Sequence, residues 1–181
     1  MTTIAAVLVL APCAPLPAPH HGSGYPPITH VKNLYAANDY RGKKAPEIIV
    51  GQWLTGAAPK TKGKVVLVDF WATWCGPCRH VIPELGKWQK QFAKDLVVIG
   101  ISDESADTVK DFMKQTPMTY NVGVDPKRRS AGQVGVQGIP HVLVISADGI
   151  VRWQGWPENP EDTLTTAKLK QIIDASKAGE R

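Results

Sequence analysis

Cysteine is scarce in this chain: 181 residues carry three of them. A disulfide-stapled miniature framework, which needs an even set of four or more, is therefore excluded. Stability has to come from apolar burial, and the ~135 residues beyond the N-terminal segment are enough to bury a core. Long apolar runs are missing too. The stretch from Ile4 to Ala11 is eight residues long, well short of the about 20 that a membrane-spanning helix requires. Charge of one sign is not in excess where it would matter. The net charge of +5 rests on 21 basic and 16 acidic residues. Four of the basic and one of the acidic residues precede Ala45, so 17 face 15 in the rest. No basic stripe recurs along a helix, and nucleic acid is excluded as a partner. No internal repeat is present.

The front of the chain is apolar and then rich in proline, "MTTIAAVLVLAPCAPLPAPHHGSGYPP". That order suits the apolar region of a secretory leader, although no Lys or Arg occurs before Lys32, where a leader normally carries one. Residues 1–18 read as a signal peptide, and Cys13 as an unpaired cysteine discarded with it. Pro12 directly before Cys13 does not suit a lipidation site. Residues 12–30 read as disordered, because Pro, His, Gly and Ser bury too little surface to offset ordering entropy, and residues 19–44 as a whole read as a flexible linker or docking arm. Residues 45–178 read as one domain.

From Ala45 the pattern turns globular. "PEIIVGQWL" predicts a short strand or hairpin. "KVVLVDFW" is β-branched and aromatic and predicts a strand buried on both faces. A helix is expected from Cys75 to about Ala93, kinked at Pro83. "LVVIGIS" predicts a second buried strand. Residues 105–115 predict a helix capped by Ser105, with Val109, Phe112 and Met113 on one face. "YNVGVD" predicts a short strand and "RRSAGQVG" a helical turn stopped by glycine. "HVLVI" and "IVRWQG" predict strands joined by a hairpin at "SADG". "TLTTAKLKQIIDASK" predicts a final helix. Strand and helix alternate first and an antiparallel hairpin comes last. The expected class is α/β, a three-layer sandwich with a central mixed sheet and helices on both faces.

Two of the three cysteines stand in "WATWCGPCRH", Cys75 and Cys78. Cys75 falls at the junction of a buried strand and a helix. The first turn of a helix presents unpaired N–H groups and about half a positive charge, which stabilise a thiolate. Cys78 sits one helical turn further and faces it across a gap that a disulfide can close. Gly76 permits close approach by a partner, and Pro77 suits a first turn that needs no N–H. Lowering a thiol from about 8.5 to about 7 raises its thiolate share at pH 7 from roughly 3% to about half. Lower basicity takes back roughly fivefold of that gain in nucleophilicity. Activation is thus modest, and the second thiol, which attacks the mixed disulfide intramolecularly, distinguishes the site.

"VDFWATWCGPC", Pro83 eight residues after Cys75, and "GIP" at Gly138 to Pro140 resemble the thioredoxin superfamily. "KGKVVLVDFWATWCGPCR" and "GIPHVLVISADGIV" resemble its TlpA-like branch of extracytoplasmic thiol–disulfide oxidoreductases, over about Ala45 to Ser176. The resemblance implies a thioredoxin-like fold and a cis bond between Ile139 and Pro140 beside Cys75. It leaves the Ile139 backbone free to pair with an extended substrate. It also implies that Asp69 lies behind Cys78 and exchanges its proton, with a pKa raised by burial. Trp74 would flank the thiols as a contact surface. Two departures stand out. "LVVIGIS" lacks the lysine that thioredoxins proper carry near this aspartate. Val81 stands where many relatives in cytochrome c maturation have glutamate.

The expected activity is reduction of protein disulfides through the Cys75/Cys78 dithiol and a mixed-disulfide intermediate, with no cofactor besides that redox pair. The Gly-Pro dipeptide resembles reducing thioredoxins (about −270 mV) more than strongly oxidising relatives (about −120 mV). The resemblance implies a protein client, a membrane thiol reductant as donor, a monomer, and an extracytoplasmic, periplasm-facing location. The alternative is a copper-binding or metallochaperone protein on the same fold, with His80 or His141 assisting the two thiolates. A peroxidase of the peroxiredoxin type wants Thr or Ser three residues before the nucleophile and Pro four further back; Ala72 and Val68 occupy those places. A thioredoxin-fold interaction module with an incidental disulfide is a further reading. His141, next to Pro140, reads as a strand-edge histidine without chemical duty.

Overall fold

The computed structural model describes residues 24–179. The expected leader with Cys13, and residues 19–23 of the expected linker or docking arm, lie outside them. Six strands form one sheet, in the order β1 (Gln52–Trp53), β4 (Asn121–Val124), β3 (Leu96–Ser102), β2 (Val65–Trp71), β5 (His141–Ile145) and β6 (Val151–Gly155). Its centre is β2 (Val65–Trp71), parallel to β3 (Leu96–Ser102), which is parallel in turn to β4 (Asn121–Val124). On the other side β5 (His141–Ile145) and β6 (Val151–Gly155) run antiparallel. The sheet is mixed, as expected, because the chain crosses over by helices first and turns back by a hairpin last.

The side-chain alternation of β2 decides which helices it meets. Val65, Leu67 and Trp71 face one apolar cluster, together with Val81, Ile82 and Leu85 of α1 (Gly76–Gln91) and Leu169, Ile172 and Ile173 of α4 (Thr166–Ala178). Val109 of α2 (Ala106–Gln115) joins the same side, and Ser105 caps that helix by accepting from the Thr108 amide at 3.2 Å. Val68 and Phe70 face the opposite cluster, with Val134 of α3 (Arg129–Val134). α3 stops at Gly135, whose φ of +68° is a left-handed value glycine adopts at little cost.

One short helix cannot cover that second face, and the N-terminal segment completes the layer. Ala36, Tyr40, Ala45, Ile48 and Val50 pack against it. The Ala37 and Asn38 amides donate to the Gly135 and Val134 carbonyls at 2.8 and 3.2 Å. Further on, Gly42 N–H donates to Val151 O at 2.8 Å and Val151 N–H to Lys43 O at 2.9 Å, which protects the edge strand β6. Tyr25 lies under the Arg152 guanidinium, 3.7 Å from its ring centroid. Residues 24–44 are therefore docked on the domain, within the stretch that the sequence reads as a flexible linker or docking arm. Their contacts are backbone bonds and single rings at long sequence separation, which composition does not register. "PEIIVGQWL" likewise yields only β1 (Gln52–Trp53), paired with β4. Its earlier residues are drawn off by the Ser130 hydroxyl, which accepts from Ile49 N–H at 2.6 Å and donates to Ile49 O at 3.0 Å.

Candidate redox site

The parallel strands β2 and β3 end side by side, Trp71 opposite Ser102. The loop from Ala72 to Trp74 then turns into α1. Cys75 is the N-cap of that helix, with φ −79° and ψ 105°, so the helix begins one residue later than the sequence predicts. Its sulfur accepts the Cys78 backbone N–H at 3.1 Å. An N-cap acceptor takes one of the donors that the first turn leaves unpaired. Cys75 and Cys78 are joined in a disulfide, their Cα atoms 5.3 Å apart. Cys75 keeps 4% of its surface open and Cys78 none. Both residues are buried, and the sulfur at the cap belongs to the one that keeps any open surface. It lies 3.7 Å from the Ile139 carbonyl oxygen, and the Ile139–Pro140 peptide is cis.

Around the pair, Gly76 and Pro77 are exposed, and Trp74 is 69% exposed. A groove of about 290 Å³ runs from Trp74 along Phe70, Val136 and Gly138 to Ile139. Trp74 and Ile139 therefore line one groove, and the buried Cys75 sulfur lies beside Ile139.

Asp69 lies between Leu67 and Trp71 on β2 and pairs with Gly100 and Val142. By alternation it shares the face on which Cys78 is packed. It is fully buried, and neither carboxylate oxygen has a hydrogen-bond partner. Burial pushes its pKa up to about 7. The phenol of Tyr120, buried and held well above its ordinary value by burial and by the Asp69 charge, is a neighbour. Trp71 Nε1 and the Tyr120 ring both close on Gly100, each 3.1 Å from where a Cβ would stand.

His141 is not brought to the pair. It pairs with Phe70, so its ring points to the opposite face of the sheet. It is fully buried, with Nε2 3.1 Å from Gln154 Nε2. The same amide nitrogen donates to Asn38 O at 2.9 Å, and Gln154 Oε1 accepts from Tyr40 N–H at 2.8 Å. The amide NH₂ can only donate, so His141 Nε2 accepts and the ring is neutral. Burial pulls its pKa down to about 4. It abuts Gln154, which in turn holds the Asn38 and Tyr40 backbone. His80 is exposed on α1. Among the described residues no group of three or more His, Cys, Asp or Glu side chains could hold a metal ion.

Sequence reasoning missed two residues that hold the loop before Cys75. The Glu104 carboxylate accepts from Thr73 N–H and from the Thr73 hydroxyl, each at 2.7 Å, and from the Ser102 hydroxyl at 3.0 Å. From the other side the Arg79 guanidinium donates to Thr73 O at 2.9 and 2.6 Å. The Thr73 peptide unit is gripped at both ends by opposite charges. The signal for Glu104 was its place just past the end of the strand that pairs with β2, where loops of a parallel sheet gather.

Comparison with known proteins agrees with this geometry. The model of the AhpC/TSA family matches residues 41–154. The thiol-disulfide oxidoreductase ResA of Bacillus thuringiensis is 33% identical over 136 residues, covering 72% of this chain and 78% of that protein. The thioredoxin-like protein YneN of Bacillus subtilis is 29% identical over 140 residues, 74% of this chain and 78% of that one. A crystal structure from Chlorobium tepidum, assigned as the thiol:disulfide interchange protein DsbE, superposes with a TM-score of 0.61 at 31% identity, covering 74% of this chain and 95% of that one. The chain belongs to the AhpC/TSA family, on its thioredoxin-like, TlpA-like side, and is a thiol–disulfide oxidoreductase whose redox pair is Cys75–Cys78.

Proposed function

We propose that the protein is a reductase of client protein disulfides in which Cys75 is the nucleophile and Cys78 the resolving thiol. In the reduced protein the Cys75 thiolate attacks a client disulfide. A Cys75–client bond forms and the other client sulfur leaves with the electron pair. Asp69 takes the proton of Cys78, whose thiolate then attacks the Cys75 sulfur. The Cys75–Cys78 disulfide closes, and the client departs with both its sulfurs reduced. Two electrons pass to the client, and a dithiol donor restores the pair. The oxidised protein, with Cys75 and Cys78 joined, is the end of that sequence.

The observation that carries the reading is the inequality of the two cysteines: Cys75 caps the helix and keeps a small open surface while Cys78 keeps none. A carboxyl poised at about 7 on the same face suits proton exchange with a thiol. The Ile139 backbone, within reach of Cys75, is placed to pair with an extended client, and Trp74, Gly76, Pro77 and Pro140 flank the crossing point. We place the protein outside the cytoplasm, acting as a monomer and re-reduced by a membrane thiol carrier. The apolar leader and the extracytoplasmic family favour this; no helix among the described residues is long and apolar enough to cross a membrane.

The test is trapping. Cys78→Ser protein, reduced and mixed with a native extract, should hold clients as mixed disulfides on Cys75, and wild type should release them. Alkylation of Cys75 followed against pH should show a midpoint below the about 8.5 of a free thiol. No captured client, or a midpoint at 8.5 or above, overturns the assignment.

A further inference from the structure

We propose that Tyr35 and Trp156 form a specificity wall of the client site, which takes an aliphatic or aromatic side chain lying within two residues of the client's reacting cysteine. The proposal rests on the reductase reading above. A second groove, of about 240 Å³, adjoins the redox pair and is lined by Tyr35, Pro77, Gly138, Ile139, Pro140 and Trp156. Pro77 stands two residues past Cys75, and Ile139 O is 3.7 Å from the Cys75 sulfur. The groove therefore continues the edge at which a client must be attacked. None of its six lining residues is charged, so an acidic or basic side chain would lose water there and gain no partner.

Two observations make the wall a built feature. First, Tyr35 is fixed in a costly conformation. Its φ is +58°, a left-handed value that L-residues adopt at about 1 kcal/mol or more. The surroundings impose it. Tyr35 N–H donates to Asn33 Oδ1 at 2.8 Å, and Tyr35 O accepts from Gln137 N–H at 2.9 Å and Gly138 N–H at 3.3 Å. The ring stands edge-on to Trp156, centroids 6.5 Å apart at 90°. It also lies against Gly138, where an added Cβ would come 3.2 Å from Tyr35 Cδ1.

Second, among the described residues the exposed large apolar side chains are Tyr35, at 39%, and Trp74, at 69%. Both line grooves that share Gly138 and Ile139. Apolar exposure on this molecule is thus concentrated on the two sides of the point where client backbone would cross, and such clustering marks a contact surface. Side chains of an extended client alternate in direction, so the residue two from its cysteine falls on the same side. The N-terminal segment, which the rest of the domain uses as a cover layer, here supplies one wall of the site.

The experiment uses the full chain and mixed disulfides of short cysteine peptides that differ in the residue two positions from the cysteine, Phe or Asp. Hydroxyethyl disulfide serves as a small substrate without side chains. For wild type the kcat/KM ratio of the Phe to the Asp peptide should be about tenfold or more, the range one apolar contact supplies. Tyr35→Ala should bring the ratio near one and Tyr35→Phe should keep it. Trp156→Ala gives an independent reading should Tyr35→Ala fail to fold, and it should lower the ratio too. A wild-type ratio near one, or a ratio unmoved in Trp156→Ala and in folded Tyr35→Ala, overturns the proposal. Wild type inert toward hydroxyethyl disulfide as well as both peptides would instead remove the reductase reading.

Discussion

Two buried titratable groups on opposite faces of the sheet should tilt stability against pH in opposite directions, and each variant should unmask the other. Asp69 has its pKa raised from 3.8 to about 7 by burial. Between those values the unfolded chain has lost this proton and the folded protein still holds it. Stability from Asp69 is therefore full below 3.8 and is lost as pH rises through about 7. At about 1.4 kcal/mol per pH unit, the change is about 4 kcal/mol. His141 is pulled from 6.5 down to about 4. Here the unfolded chain gains the proton first. Its stability is full above 6.5 and is lost as pH falls through about 4, a change of about 3 kcal/mol. Between pH 4 and 6.5 the two slopes nearly cancel in the wild-type protein. Asp69→Asn removes one of them. Urea unfolding of the oxidised protein from pH 4 to 8 should show this variant gaining about 4 kcal/mol on wild type across that span. Its own curve should rise with pH below 6.5, whereas that of His141→Phe should fall. Wild-type and Asp69→Asn curves that stay parallel within about 1 kcal/mol would show that Asp69 does not ionise late, and the proton-exchange role would go with it.

Glu104→Ala removes the carboxylate that holds the Thr73 amide and hydroxyl; it should cost about 2–3 kcal/mol and speed hydrogen exchange at the Thr73 amide, and unchanged protection there would mean that the loop needs no clamp. Gly135→Ala places a Cβ at φ +68° and 2.7 Å from the Ala37 Cβ; a loss of about 1–2 kcal/mol in urea unfolding, with limited proteolysis now cutting within residues 24–44, is expected, and wild-type resistance would refute the docking of that segment.

The elements readable from the sequence are those whose cause is local. The apolar, β-branched run Val65–Trp71 has nowhere to go but a sheet centre. Ser105 and Gly135 mark helix ends by chemistry confined to one turn, and the Asp148-Gly149 hairpin needs only Gly149, at φ +83°. Cys75 at a strand–helix junction belongs to the same kind. β1 did not: its apolar residues could pair with a strand or pack on a face, and the Ser130 hydroxyl decided between them.

What the sequence determined by itself was the order of strands and helices and the placing of two thiols at the start of a helix, since propensity, capping and periodicity act over a few residues. Only the tertiary structure decided that residues 36–50 cover a face of the sheet, that Glu104 grips the loop before Cys75, and that His141 turns away from the pair. Each depends on which face a side chain takes and which strand lies beside it, over separations as long as Tyr40 to Gln154. No local pattern encodes such a partner, because its free energy arises only once the sheet has closed around it.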